Sequence, residues 1–351
     1  MRPNVICSRA VLVATIAIGA TLAACGSDDA RTTTLTLVAY DSFTPPEGAF
    51  DEFTRQTGIT VEIATAGDTG EMVAKAALTS GNPEGDVMWG VDTTFLSRAI
   101  DAEVFDPYVS GAAPISDYLL ATADDTVTPV DFGDVCVNYD VAALEALDLA
   151  PPTSWADLVD PKYANLLVTP SASASSVGLA FLLGSIADQG DGYWEDYWKA
   201  LVDNGVLVVD GWNEAYYTEF TRYGGTRPLV VSYATSPPAE VIFADPPSPT
   251  EAPAPTAVVE STCFRQVEYA GVLRGTDRVD AARSLVDYLV SANFQSMLPE
   301  SIFVYPSNSQ VELPESFTRY ATDVATPLFF DARYIETNRE RLIEAWTRIV
   351  S

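Results

Sequence analysis

The feature that most restricts this chain is an alternation of strand-patterned and helix-patterned runs that starts at Thr34 and repeats three times within seventy residues. Thr34-Leu35-Thr36-Leu37-Val38-Ala39 alternates as a strand does, and Pro45-Pro46-Glu47 then opens a helix carrying Phe50 and Phe53 that Gly58 stops. The pattern continues with a strand over 60–64, a helix over 69–79, a buried strand over 85–90 and a helix over 93–100. Such βα units bury their apolar faces as an open α/β sheet flanked by helices. Ligands of such sheets lie beyond the carboxyl ends of the strands. Here those ends carry Tyr40-Asp41-Ser42, Gly67-Asp68-Thr69 and Val91-Asp92-Thr93.

A second set of units follows Val130. Residues 131–139 are extended, Pro152-Thr153-Ser154-Trp155 gives a turn and a capped helix start, and 166–170 is a strand. The serine-rich 171–176 leads into an apolar helix over 177–186, followed by a helical stretch rich in Trp194, Tyr197 and Trp198. A strand over 206–209, a helix after Trp212 and a strand over 229–232 complete this part. The stretch 237–255, rich in proline, alanine and acid, reads as an exposed loop. A helical region over 280–297 and an amphipathic helix over 335–350 close the chain, and no internal repeat is visible.

The first residues place this body in the cell. Arg2 and Arg9 form a short positive region ahead of an apolar run over 11–20 that closes on Leu22-Ala23-Ala24-Cys25, the pattern of a secretory signal ending in a lipid-attachment site. The expected division is a lipoprotein signal over 1–24, a tether over 25–32 beginning with lipidated Cys25, and an extracytoplasmic body held at the cell membrane. Removing the signal leaves 17 basic side chains against 49 acidic ones. A surface so acidic repels nucleic acid and attracts cations. The chain has no histidine, which removes the usual general base, the usual partner of a nucleophilic serine and the commonest zinc ligand. No metal site and no cofactor is called for. Once Cys7 and Cys25 are assigned to the leader, Cys136 and Cys263 remain, and in an oxidising compartment two thiols read as one disulfide.

Several segments resemble a known family. Pro152-Thr153-Ser154-Trp155-Ala156-Asp157-Leu158 with Asp160-Pro161-Lys162-Tyr163, and 281–289 with Ser291 and Gln295, are similar to segments of the extracellular solute-binding proteins of ABC importers. Ala39-Tyr40-Asp41-Ser42-Phe43, Gly90-Val91-Asp92, Asp131-Phe132-Gly133, Gly211-Trp212-Asn213-Glu214-Ala215-Tyr216 and Ser232-Tyr233-Ala234-Thr235-Ser236-Pro237 resemble the thiamine-binding branch of that family. The resemblance covers the chain after about Thr33 and implies an α/β, two-lobed, periplasmic-binding-protein-like (type II) fold with a hinge and an interlobe cleft. It implies lobe 1 over 33–130 with 268–312, lobe 2 over 131–267 with 313–351, and crossings near 130–133 and 266–269. Its implied partners are thiamine or a thiamine phosphate, a membrane permease and an ATPase, with the receptor itself a monomer.

Thiamine carries a permanent positive charge on its thiazolium and a flat aminopyrimidine, so a cleft for it needs aromatic faces and carboxylates. By resemblance Tyr40, Trp212, Tyr216 and Tyr233 supply the rings, and Tyr216 lies one helical turn beyond Trp212. The carboxylate candidates are Asp68, with Thr69 where relatives have glycine, then Asp41, Asp92 and Asp131. Ser173 and Ala174 precede a helix start that can donate backbone N–H groups to a phosphate. Ala234, Thr235, Ser236 and Pro237 complete the contact set, with Phe303 standing before Tyr305-Pro306 where relatives place tryptophan. Pro238-Ala239 replaces an aromatic that relatives carry there.

Read from residue types alone, these aromatics also suit a core, and the aspartates suit helix caps or solvated turns. Other ligands stay open for the same fold. Adjacent Tyr216 and Tyr217 resemble a ferric-ion binder's tyrosinate pair, although a regular helix would send the two rings to different faces. A polyamine or another organic cation also fits so acidic a chain. A serine hydrolase is the alternative from another class, but there is no Gly-x-Ser-x-Gly elbow and no histidine to activate a serine.

Overall fold

Parallel strands need helices over both faces, and the first three strands are built that way. The computed structural model describes residues 33–351 except 121, 124 and 245–251, so the signal, the tether and Cys25 lie outside the described residues. Strand β1 (Thr34–Ala39) lies between its parallel neighbours β2 (Thr60–Thr65) and β3 (Val87–Asp92), and every residue of β3 is buried. Helices α1 (Asp51–Thr57) and α2 (Thr69–Leu78) connect them, and α3 (Leu96–Asp101) follows β3. Helix α1 starts later than predicted because the residues before it form turns, and it ends where Gly58, at φ 73°, adopts the left-handed conformation of a C-cap. Next come β4 (Phe105–Asp106), α4 (Asp117–Leu120) and the long strand β5 (Thr128–Asp140).

Beyond β5 the order is α5 (Val141–Ala146), α6 (Trp155–Leu158), β6 (Leu167–Pro170), α7 (Ser176–Gln189), α8 (Trp194–Asp203) and β7 (Leu207–Val209). A short turn, α9 (Trp212–Glu214), widens into a π-type turn over Ala215–Glu219 before β8 (Leu229–Tyr233). Then follow α10 (Pro237–Ile242), β9 (Thr256–Leu273), α11 (Val279–Leu289), α12 (Ala292–Gln295) and α13 (Leu298–Ser301). The chain closes with β10 (Tyr305–Pro306), α14 (Glu315–Tyr320) and α15 (Ala332–Val350).

Two expectations are corrected here. The stretch 237–255 is not one exposed loop: Pro237, Pro238 and Glu240 are buried in α10, whose first turn tolerates proline because its N–H groups have no helical partner. The helix expected over 280–297 is two helices, because the Ser291 side chain caps α12 by accepting the Phe294 N–H.

The described strands join in the order β2-β1-β3-β9-β5-β8-β6-β7, with β4 on β9 and β10 on β5. Antiparallel β5 and β9 run from one half of the molecule into the other. Residues 128–132 and 267–273 belong with β1 to β3, β4 and β10, whereas 134–140 and 256–265 belong with β8, β6 and β7. The β5–β9 register breaks between Pro129 and Asp131 and again between Val135 and Val137. Two lobes therefore meet on two strands, β5 and β9. Helix α15 leans on both: Trp346 packs edge-on against Trp198 of α8, and the Arg339 guanidinium lies over the Phe95 ring that precedes α3. No described helix is long and apolar enough to cross a membrane.

Cys136 of β5 and Cys263 of β9 are bonded to each other just beside the second register break. A link that closes so long a loop mainly restricts the unfolded chain, and its loss typically costs about 2–5 kcal/mol. Replacing both cysteines by serine should lower the thermal midpoint by several degrees while leaving the native circular dichroism intact. A scan with and without reductant checks it on the unaltered protein.

Candidate functional site

The strand ends of both lobes converge on one cavity. It has a volume of about 150 Å³ and opens to solvent. Lobe 1 contributes Tyr40 just after β1, Asp68 and Thr69 at the start of α2, and Phe303 after α13. From lobe 2 come Ser176 and Val177 of α7, Trp212, Tyr216, Tyr217, Tyr233 and Ser236, with Ala239 of α10 and Phe243 just after it. Glu268 of β9 lines it between the lobes.

Each aromatic is fixed by specific contacts. Trp212 stacks on Tyr216 with centroids 5.0 Å apart and planes at 23°, and its Nε1 donates to Ser232 Oγ at 3.0 Å. Ser232 Oγ in turn lies 2.8 Å from Ser236 Oγ, which also accepts the Tyr233 N–H at 3.2 Å. Tyr216 donates its hydroxyl to Glu240 Oε1 at 2.7 Å, and Tyr223 donates to the same oxygen at 3.1 Å. Tyr40 donates to Glu268 Oε2 at 3.1 Å.

Tyr40 keeps its place because Gly90 is beside it: a Cβ there would lie 2.3 Å from the Tyr40 Cε1, and Gly90 sits at φ 94°. Gly90→Ala should therefore push the Tyr40 ring and strain β3, costing about 1–3 kcal/mol in stability. A lower thermal midpoint together with weaker ligand binding is the expected result; unchanged values of both would show that the ring can move freely.

The lobes also touch across the cavity's edge. The Asp68 side chain caps α2 by accepting from Thr69 N at 2.6 Å and, with its other oxygen, accepts the Trp212 N–H of the opposite lobe at 3.0 Å. Gly70 N–H donates to the Ala174 carbonyl at 2.9 Å, and the Phe243 and Phe303 rings meet edge to face at 5.7 Å. Asp68 is thus both a cap and an interlobe bridge.

Of the predicted contacts, Tyr40, Asp68, Thr69, Trp212, Tyr216, Tyr233, Ser236 and Phe303 line the cavity. The others stand elsewhere. Asp41 is exposed beyond β1, and Ser173 is exposed and bonded to Ser171. Ala174 spends its carbonyl on Gly70, so the α7 residues at the cavity wall are Ser176 and Val177 instead. Ala234, Thr235 and Pro237 are buried behind the wall. Asp92 and Asp131 lie beneath it, fully enclosed. Tyr216 and Tyr217, expected on different faces, both border the cavity because the π-type turn widens the backbone there; their centroids are 5.3 Å apart. Glu268, Tyr217, Phe243, Ser176 and Val177 were not foreseen. Phe243, which caps the end of α10, lines the cavity one turn beyond Ala239.

The electrostatics are one-sided. Among the described residues no lysine or arginine lines the cavity. Burial raises the Asp68 carboxyl above its ordinary value against the pull of the Trp212 N–H, and raises Asp92 to about 6 despite the Thr94 and Gln266 donors. Asp131 is pushed up to about 8 by burial, and burial with the nearby Asp131 and Asp92 pushes Glu268 up as well. Burial and Glu240 likewise keep the Tyr216 phenol protonated, and Tyr217 is raised by the same two causes. The Tyr216 hydroxyl is engaged with Glu240, and among the described residues no cluster of three or more carboxylate, thiol or imidazole groups is placed to hold a metal. The chamber offers aromatic faces and carboxyls to a ligand that carries positive charge.

A sequence profile of the bacterial extracellular solute-binding proteins matches residues 85–338. The chain belongs to that family. The thiamine-binding periplasmic protein of Salmonella typhimurium (strain LT2) is 27% identical over 322 residues, covering 90% of this solute-binding protein and 93% of the relative. Among solved structures, a periplasmic thiamin binding protein is 26% identical and superposes with TM-score 0.79 over 91% of this chain and 96% of that one. Another solved periplasmic binding protein, 18% identical, superposes with TM-score 0.76 over 91% and 100% of the two chains. The fold is the two-lobed type II arrangement of these solute-binding proteins, and the cavity lies between its lobes.

Proposed function

We propose that this solute-binding protein captures thiamine, free or phosphorylated, outside the cytoplasm and hands it to the permease and ATPase of an ABC importer. The observation that carries the reading is the chemistry of the cavity: Trp212, Tyr216, Tyr40 and Tyr233 surround a space lined by the carboxyls of Asp68 and Glu268 and, among the described residues, by no lysine or arginine. A flat aminopyrimidine can lie between rings from both lobes, and a thiazolium against an aromatic face gains about 0.5–2 kcal/mol when desolvated. The hydroxyethyl tail or its phosphate would reach Ser176 and Val177, where the first N–H groups of α7 have no helical partners. The relatives named for thiamine binding support the same ligand.

Capture would proceed by closure of the lobes about β5 and β9, since a ligand shifts that equilibrium only through contacts it makes in one state and not the other. The Asp68 to Trp212 and Gly70 to Ala174 bonds join the lobes directly and would form on closure. The protein acts as a monomer, performs no turnover, needs no cofactor, and is anchored through lipid on Cys25.

The test is calorimetry on the body from Gly26 onward, stripped of carried ligand by unfolding and refolding, with thiamine, ferric citrate and spermidine as titrants. One-to-one binding of thiamine alone establishes the reading, and heat with ferric citrate or spermidine alone transfers it to that ligand. Turnover of an added ester or phosphate would return the hydrolase reading.

A further inference from the structure

Beneath the cavity, three carboxyls stand in a row on neighbouring strands. The pairing sets Asp92 of β3 opposite Glu268 of β9, and Glu268 opposite Asp131 of β5. Directly opposed residues project from one face of a sheet with adjacent Cβ atoms. Asp92, Glu268 and Asp131 are 0%, 4% and 1% exposed.

The three are unequally provided for. Asp92 accepts from Thr94 Oγ1 at 2.8 Å and 2.9 Å, Phe95 N at 3.2 Å and Gln266 Nε2 at 2.7 Å. Glu268 receives the Tyr40 hydroxyl. Neither oxygen of Asp131 has a donor. Buried carboxylates cannot stay charged side by side without donors, and the usual resolution is that two of them hold one proton between them. A proton between Asp131 and Glu268 is the missing donor. Of the row, Glu268 alone lines the cavity.

We infer that Glu268 is the charge-selecting residue of the cleft: a ligand that sets a formal positive charge against its carboxyl displaces the proton shared with Asp131, which leaves to solvent. Capture of the cation and release of a proton are then one event. This rests on the thiamine reading and extends it.

The surroundings permit it. Glu268 faces Asp131 from β5, Asp92 from β3, Tyr40 from beyond β1 and Tyr233 from β8, and none of these is a cation. Asp92 in turn lies near Tyr269 of β9 and Arg339 of α15, and Asp68 acts on Tyr233. A proton lost on binding makes affinity rise with pH, up to about tenfold per pH unit, until the ligand-free pair has itself lost the proton. With Asp131 raised to about 8, that range includes neutral pH.

The experiment titrates thiamine at pH 7 in two buffers of different ionisation enthalpy, which counts protons released. The unaltered protein should release close to one. Glu268→Gln should release close to none, lose at least about tenfold in thiamine affinity, and bind the uncharged flat analogue thiochrome no worse than before. A ligand-free arm follows the infrared band of protonated buried carboxyl at the same pH, which should weaken in both Glu268→Gln and Asp131→Asn. Thiamine binding without net proton release, with that band unchanged in both variants, overturns the inference and leaves the thiamine reading standing. Failure of thiamine to bind, with the band weakened as expected, overturns the thiamine reading and supports the shared proton. Failure of both overturns both.

Discussion

Trp212→Ala should reduce affinity for thiamine by roughly 30- to 1000-fold, the range of about 2–4 kcal/mol that a central buried aromatic contributes to a binding surface. Several terms fall together. The indole is a wall of the cavity, it is the surface against which Tyr216 stacks, and its Nε1 holds Ser232, which is bonded to Ser236. Removing it loses a ring face for the ligand, frees Tyr216 to tilt and leaves the Ser232 to Ser236 pair to rearrange. The backbone bond from residue 212 to Asp68 survives in alanine, so the interlobe bridge is not what the substitution tests. Trp212 is half-buried at the cleft wall, and the protein should keep its circular dichroism and most of its thermal stability. Trp212→Phe, which preserves an aromatic face and loses the N–H donor, should fall in between. Calorimetry of the three proteins decides it, and equal affinity in the alanine variant would place the ligand elsewhere.

Half of the expected contact residues line the cavity, most of them following a local rule. Tyr40, Asp68 and Thr69 come directly after strands, Trp212 opens the turn after β7, and Tyr233 and Ser236 close β8, so reading strands along the sequence was enough to locate them. The sheet needed no tertiary knowledge where propensity and pattern agreed, as in β1, β2, α2 and α7. Glu268 was out of reach of that rule. It stands inside an 18-residue strand, and its place at the cavity depends on pairing with strands that begin more than a hundred residues earlier. The same non-local register moved Asp92 and Asp131 from expected ligand groups to buried neighbours. Phe243 was hidden for a different reason: proline at the first position of a helix looks like loop composition when the buried face of that helix cannot be seen. The π-type turn that sets Tyr217 beside Tyr216 leaves no mark in residue periodicity.

The second large effect concerns the ligand-free protein, which should lose stability as pH rises from about 5 to about 8, where most small proteins change little. Asp92 and Asp131 are raised in the fold to about 6 and about 8, and Glu268 is raised in the same direction, all chiefly by burial. A carboxyl raised in the folded state holds a proton that the unfolded chain has already given up. Its stabilising contribution is therefore complete below the unfolded value and is lost as pH climbs through the folded one. The window opens above the ordinary carboxylate range and closes near pH 8 for Asp131. Each proton held by the fold makes stability fall by about 1.4 kcal/mol per pH unit within that window. Asp131→Asn removes one of the two groups that share a proton and offers Glu268 an amide donor in its place, so Glu268 can ionise without a bare carboxylate beside it. The variant should be no more stable than the unaltered protein at pH 5, more stable at pH 8, and less steep between, with the fall that remains centred on Asp92 near pH 6, by thermal scans in a buffer series. Thiamine should rescue the unaltered protein at pH 8, because its positive charge takes the place of the lost proton, and should do less for Glu268→Gln. Parallel curves for the unaltered protein and Asp131→Asn would mean that Asp131 is charged throughout and that an unseen donor reaches it.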